Sequence, residues 1–310
     1  MRRIQISTFT LLLSSLMAFV PGHANRFEQP DKLVILNVRV TDSTQKPVTD
    51  VPQDRFQVIE DGVPQTITLF SNKQVPLTYG LMIDCSGSLR SQLPAVRNAG
   101  MKILNSNTPE DEAFLIRFIS SNKLYVEQEL TSDKQLLISR LADFYVEGGE
   151  TALIDAVYLA AEKLAKLKID PGNIRRKALI LVTDGEDRNS FYKEEALFSL
   201  LGTTDIQIYV VGFTDELPEK SRKKALTLLN RLALDTGGRA FISEARGNLN
   251  SIFDQIILDI RTQYTIGYVP RNSTANNFHK VQVSITDDPR QDKRIAVTRV
   301  GYEALSNSTR

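Results

Sequence analysis

Four short apolar runs punctuate the middle of the chain: Leu77–Ile83 (LTYGLMI), Ala113–Ile119 (AFLIRFI), Ala178–Thr183 (ALILVT) and Ile206–Val211 (IQIYVV). Their apolar character is continuous rather than alternating and includes β-branched residues. That pattern predicts parallel strands covered on both faces. Between them, Leu153, Ala156, Val157, Ala160 and Leu164 keep the spacing of an amphipathic helix. After them, Leu249, Ile252, Phe253, Ile256, Ile257 and Ile260 do the same. Strand–helix alternation across 76–261 predicts an open, doubly wound, mostly parallel α/β sheet with right-handed crossovers.

The flanks read differently. In 25–75, Leu33–Val40 and Phe56–Ile59 are strand-like, and Glu60-Asp61-Gly62 supplies an Asp-Gly hairpin turn before the return strand Gln65–Phe70. In 262–310, Tyr264–Val269, Lys280–Thr286 and Arg294–Val300 are the strand candidates. About three strands on each side are too few for a core of their own. The two segments are therefore expected to pair into one small β-sandwich, with the α/β domain inserted between them.

Residues 1–24 read as a secretory signal peptide: Arg2 and Arg3, an apolar run of twelve from Phe9 to Val20, then Gly22-His23-Ala24. Twelve residues rise only about 18 Å as a helix, short of a hydrocarbon core of roughly 30 Å. Cleavage near Ala24 would leave a secreted or periplasmic chain with no membrane span. Cys85 is the single cysteine, so no internal disulfide can form; it is expected to be a buried packing thiol. The chain carries 38 Lys+Arg against 37 Asp+Glu, which leaves no cationic field for nucleic acid. Only two histidines are present, His23 and His279, which excludes a multi-His zinc site. His279 is expected at a strand edge, without chemistry.

Open α/β sheets place their ligands beyond the carboxyl ends of the strands. There the sequence has Asp84-Cys85-Ser86-Gly87-Ser88, then Thr151 after Glu147-Gly148-Gly149-Glu150, then Asp184-Gly185-Glu186-Asp187. Two carboxylates and three hydroxyls make an oxygen shell for a hard divalent ion, Mg²⁺ or else Mn²⁺ or Ca²⁺. Mg²⁺ holds its waters tightly, so the hydroxyls suit direct ligation while Asp84 and Asp184 suit contact through water. So few protein oxygens leave a coordination position open.

Asp-x-Ser-x-Ser at 84–88, Thr151 in a Gly-rich loop and Thr-Asp-Gly at 183–185 resemble the von Willebrand factor type A domain. The flanking VTDSTQKPVTDVPQDRFQVIEDGVPQTI, QYTIGYVP and VTRVGYEA are similar to secreted bacterial proteins of the acidobacterial, type A-related kind. The resemblance implies a metal-ion-dependent adhesion site in which Ser86, Ser88 and Thr151 give hydroxyl ligands and Asp84 and Asp184 acidic ones. It also implies a non-enzymatic adhesion module whose protein partner offers an Asp or Glu carboxylate to the metal. Glu150 departs from the pattern, since related loops often have Gly there. Two other readings compete. One is a Mg²⁺-dependent phosphohydrolase with Asp84 as nucleophile, although the second acid such enzymes carry two residues on is here Ser86. The other is a structural envelope subunit with a vestigial metal site. Asp155, one helical turn after Thr151, is open between orienting Thr151, capping and a plain surface role.

Overall fold

Eight residues, Val34–Thr41, form the strand β1, and with it begins the part of the chain that the computed structural model describes: residues 33–167, 174–242, 248–271, 277–286 and 293–304. The segment 1–24, expected above to be a signal peptide, lies outside these residues. β2 (Phe56–Glu60), β3 (Val63–Gln65) and β4 (Ile67–Ser71) follow β1. The central part comprises β5 (Leu77–Asp84), α1 (Leu93–Asn105), β6 (Glu112–Phe118), β7 (Leu124–Thr131), α2 (Lys134–Ala142) and α3 (Leu153–Ala165). It continues through β8 (Arg176–Thr183), α4 (Glu194–Gly202), β9 (Gln207–Gly212), α5 (Glu219–Asp235), β10 (Arg239–Ile242) and α6 (Leu249–Arg261). Then come β11 (Tyr264–Tyr268), β12 (Phe278–Ile285), β13 (Ile295–Val297) and β14 (Gly301–Glu303).

The central sheet has the order β10-β9-β8-β5-β6-β7, all parallel except β7, which runs antiparallel to β6. Every residue of β5, β8 and β9 is buried, as the unbroken apolar runs require. The pleat sorts them: Leu81, Ile83, Ile180 and Val182 pack with α1, α2 and α6, whereas Met82, Leu179 and Leu181 pack with α3, α4 and α5. Helices on both faces make the sheet doubly wound.

The flanking segments build two four-stranded antiparallel sheets, β13-β1-β11-β4 and β14-β12-β2-β3. Their facing sides share one core of Leu36, Val38, Val58, Ile266 and Val283, with the rings of Phe56 and Tyr264 at 4.9 Å. Asp61 and Gly62 both take positive φ, 49° and 82°, as a two-residue hairpin turn demands.

Two sequence expectations need correction here. The stretch from Gln65 to Phe70 is not one return strand: β3 closes the hairpin with β2, and after Thr66 the chain crosses to β4, which pairs with β11 in the other sheet. His279 is not at a strand edge, because β12 has β14 on one side and β2 on the other.

At the amino ends of the central strands the α/β layer is tied to the sandwich. The Arg176 guanidinium donates to the carbonyl of Ile260 at 2.5 Å and to Asn37 Oδ1 at 3.2 Å, linking β8, α6 and β1. Asp259 lies 3.5 Å from Arg39 and 3.4 Å from Arg239. Asp111 accepts from the Leu77 N–H at 2.7 Å and pairs with Arg261 at 2.6 Å.

Candidate metal centre

β5 and β8 are neighbours in register, Ile83 beside Val182, so the carboxylates that follow them leave from one edge of the sheet. Asp84 is fully buried, and each of its oxygens has a donor: the Ser86 N–H reaches Oδ1 at 2.9 Å, and the Thr183 hydroxyl reaches Oδ2 at 2.8 Å. Ser88 Oγ donates to Asp184 Oδ2 at 2.6 Å and lies 3.0 Å from Ser86 Oγ. Asp184 Oδ1 accepts from the Glu186 N–H at 2.9 Å. Gly185, at φ +83°, turns the chain sharply there, a conformation side chains rarely adopt. Asp84, Ser86, Ser88 and Asp184 therefore gather on one rim.

Thr151 joins this rim through its backbone. Its side chain is buried, and its carbonyl accepts from the N–H groups of Arg188 at 2.8 Å and Asn189 at 3.4 Å. The same loop is held to β5 by the Glu147 N–H donating to the Cys85 carbonyl at 2.9 Å. The three stretches singled out in the sequence are thus laced together by hydrogen bonds.

Burial, and then the neighbouring Asp184 charge, push the Asp84 carboxyl up to about 7, against the pull of its Ser86 and Thr183 donors. Burial also raises Asp184, opposed by the hydroxyl of Ser88. Two desolvated acids side by side favour a shared positive charge, which a proton or a cation can supply. Cys85 is buried with its thiol pushed up to about 12 by burial, an inert packing group rather than a nucleophile.

Other residues at the rim carry functions that sequence reasoning missed. Thr183, directly before Asp184, orients Asp84 by its hydroxyl; the Thr-Asp-Gly string was the available signal. Asp155 is buried, and its carboxylate accepts the N–H groups of Phe191 at 2.9 Å and Tyr192 at 2.8 Å. Asp187 caps α3, taking the Ile154 N–H at 3.1 Å. No short-range pattern announces the Asp155 contacts, which span thirty-six and thirty-seven residues.

A second group of potential metal donors among the described residues is Glu60, Asp61 and His279 in the sandwich, their ligand atoms within 4.8 Å of one another. Protein partners already engage them. His279 Nδ1 is 2.7 Å from Asp61 Oδ2, while the hydroxyls of Tyr268 and Tyr302 donate to Glu60 Oε2 at 2.5 and 3.0 Å. His279, buried on an inner strand, thus takes part in a polar cluster that sequence reasoning did not assign to it.

The class defined by this architecture is an α/β domain that keeps donors for a hard cation at the carboxyl rim of its sheet. A family model of the von Willebrand factor type A domain matches residues 80–255, and the chain belongs to that family. Members are typically non-enzymatic protein-interaction modules, and they often bind a divalent metal. The fold is similar to a von Willebrand factor type A structure from Catenulispora acidiphila, at 13% identity over 91% of this chain and 76% of that one, TM-score 0.47. It is also similar to an aerotolerance-related membrane protein from Bacteroides fragilis, at 18% identity over 59% of this chain and 98% of that one, TM-score 0.46. Proximal thread matrix protein 1 from the mussel byssus aligns at 15% identity over 61% of this chain and 49% of that one, TM-score 0.48. No curated protein matches the sequence. Among the described residues no helix is long and apolar enough to cross a membrane.

Proposed function

We propose that this protein is a secreted, non-enzymatic adhesion module, its segment 1–24 removed on export and its type A domain, 76–261, inserted between paired segments 25–75 and 262–310. Asp84, Ser86, Ser88, Thr151 and Asp184 would hold Mg²⁺, with Mn²⁺ or Ca²⁺ as substitutes, as a metal-ion-dependent adhesion site. Bound there, the ion would supply a Lewis-acidic position for an Asp or Glu carboxylate of a protein partner. The observation that carries this reading is the hydrogen-bonded set Ser86–Ser88–Asp184 beside a buried Asp84 whose proton affinity is raised. The donor chemistry fits: carboxylates and hydroxyls suit a hard ion, and a cation relieves the repulsion between the two acids. Asp84 as a phosphohydrolase nucleophile is disfavoured, since the second acid such enzymes carry two residues on is here Ser86.

Calorimetric titration with MgCl₂ and MnCl₂ at neutral pH tests the assignment. The wild-type chain is expected to bind one ion, and Asp84→Ala to lose binding while keeping its circular dichroism spectrum. Equal binding by wild type and variant removes the assignment.

A further inference from the structure

Alternation along β2 and β12 buries Phe56, Val58, Val281 and Val283 inside the sandwich, and at the end of that row it buries Glu60 and His279 as well. Val281 pairs with Glu60, so His279 lies diagonally across from Glu60 on the shared inner face. The two side chains are 2% and 4% exposed. Asp61, in the turn that follows β2, brings Oδ2 to 2.7 Å from His279 Nδ1, and Glu60 Oε1 stands 3.9 Å from the same nitrogen. One imidazole nitrogen and two carboxylate oxygens thus converge within 4.8 Å of one another.

Outside donors hold one oxygen of each acid and leave the other toward His279. Asp61 Oδ1 accepts the Lys280 N–H at 2.8 Å, and Glu60 Oε2 accepts both tyrosine hydroxyls. Glu60 Oε1, on a buried side chain, accepts no hydrogen bond among the described residues. A buried carboxylate oxygen without a donor is unfavourable unless a cation meets it. The Arg299 guanidinium is not that cation: it lies over the Tyr302 ring at 5.2 Å and donates to the carbonyls of Thr204 and Ile35. Carboxylates fixed through one oxygen and open at the other are the form in which acids are oriented toward a metal.

We propose that Glu60 Oε1, Asp61 Oδ2 and His279 Nδ1 bind a divalent transition-metal ion, Zn²⁺ before others, at a structural site of the sandwich. One imidazole with two carboxylates favours a borderline ion such as Zn²⁺ over Mg²⁺ or Ca²⁺, which prefer oxygen alone. Zn²⁺ at about 2.0–2.1 Å from each donor spaces tetrahedral ligands about 3.3 Å apart. The observed 2.7 and 3.9 Å straddle that separation. The Asp61 side chain is 47% exposed, so the ion enters from its side and a water takes the fourth position. Bound there, the ion ties the β2–β3 turn to β12, and the Tyr268 hydroxyl on Glu60 carries the brace to the opposite sheet. Strands β3, β13 and β14 have only three residues each, and a chain with one cysteine has no internal disulfide to staple them. This site is distinct from the Asp84–Asp184 rim and does not depend on it.

Titration of ZnCl₂ into the full chain, followed by calorimetry and by the ring-nitrogen NMR resonances of isotope-labelled histidine, tests the site. Wild type and Asp84→Ala should each show a Zn²⁺-dependent move of the His279 Nδ1 resonance and a raised melting temperature. His279→Gln assigns that resonance by its loss and should abolish the binding. Asp61→Asn keeps a side chain that tolerates the positive φ of the turn, and it should bind Zn²⁺ more weakly by about tenfold or more. Tyr302→Phe, which takes one donor from Glu60 Oε2, should weaken binding by about tenfold. Should His279→Gln fail to fold, Asp61→Asn and Tyr302→Phe carry the same comparison. An Nδ1 resonance that ignores Zn²⁺ overturns the proposal and leaves a plain imidazole–carboxylate hydrogen bond. Equal binding by wild type and Asp61→Asn overturns it as adventitious surface binding. Loss of the Nδ1 response in Asp84→Ala overturns it too, by placing the ion at the rim.

Discussion

At the scale of single residues, Asp84 is the pivot. An acid whose folded pKa stands near 7, against 3.8 when free, binds more protons folded than unfolded between those values. Its contribution to stability is therefore complete below about pH 4 and is lost as pH rises toward 7 in the absence of metal. A divalent ion held as proposed would replace the proton. Thermal melts in EDTA should fall from pH 5 to pH 8, and saturating Mg²⁺ should restore stability by about 2–3 kcal/mol at pH 8, with a smaller gain at pH 5 where protons compete. Thr183→Val removes the hydroxyl donor that favours ionised Asp84. It should weaken Mg²⁺ binding at pH 7 by about tenfold, read by calorimetry, with little change in fold. Asp84 and Asp184 could be singled out because each stands at the end of an apolar run in a parallel strand, whereas Thr151 stands in a Gly-rich loop before α3. What Thr183 does was not legible, since its role depends on the register of β8 beside β5, and no single segment contains that.

The 184–192 loop shows what an element adds beyond its residues. Its turns are local, but its position is set by a helix: Asp155 in the first turn of α3 reaches out to two loop amides. Asp155→Ala should leave those amides without a buried acceptor and cost about 1–3 kcal/mol. Hydrogen exchange should then quicken at Phe191 and Tyr192 while the amides of β5 and β8 stay protected. The sequence reading kept Asp155 open between orienting, capping and surface roles, and the burial that decides among them is tertiary. Elements varied in legibility for similar reasons. β5, β8 and β9 are buried on both faces and read as unbroken apolar runs, whereas the edge strand β7 mixes exposed Tyr125 and Glu129 with half-buried neighbours and offers no clean period. In α5 the stripe Ala225, Leu228, Leu229, Leu232 is set among Lys and Arg, which masks it. The break between β3 and β4 was hidden because QTITLF alternates plausibly as one strand; the switch of sheets at Thr66 is decided by pairing partners elsewhere.

For the whole molecule, the junction between the layers is polar and buried. Arg176 has its pKa lowered to about 10 by burial and gives its protons to the carbonyl of Ile260 and to Asn37. Arg176→Met should strand those acceptors and destabilise by about 2–4 kcal/mol, with near- and far-ultraviolet circular dichroism melting together in urea. Two separate transitions would mean that the layers do not depend on each other. The insertion itself was readable from the two strand-rich flanks, neither large enough to stand alone. The junction was not, because Arg176 and Asp259 meet only after the flanks have paired. Both chain crossings, β4 to β5 and α6 to β11, leave the sheet at the edge opposite Asp84 and Asp184. In the adhesion reading proposed above, tension on a partner held at the far rim would be shared between two covalent tethers anchored side by side, and the inserted layer would bear load as a braced cantilever instead of paying out as slack chain.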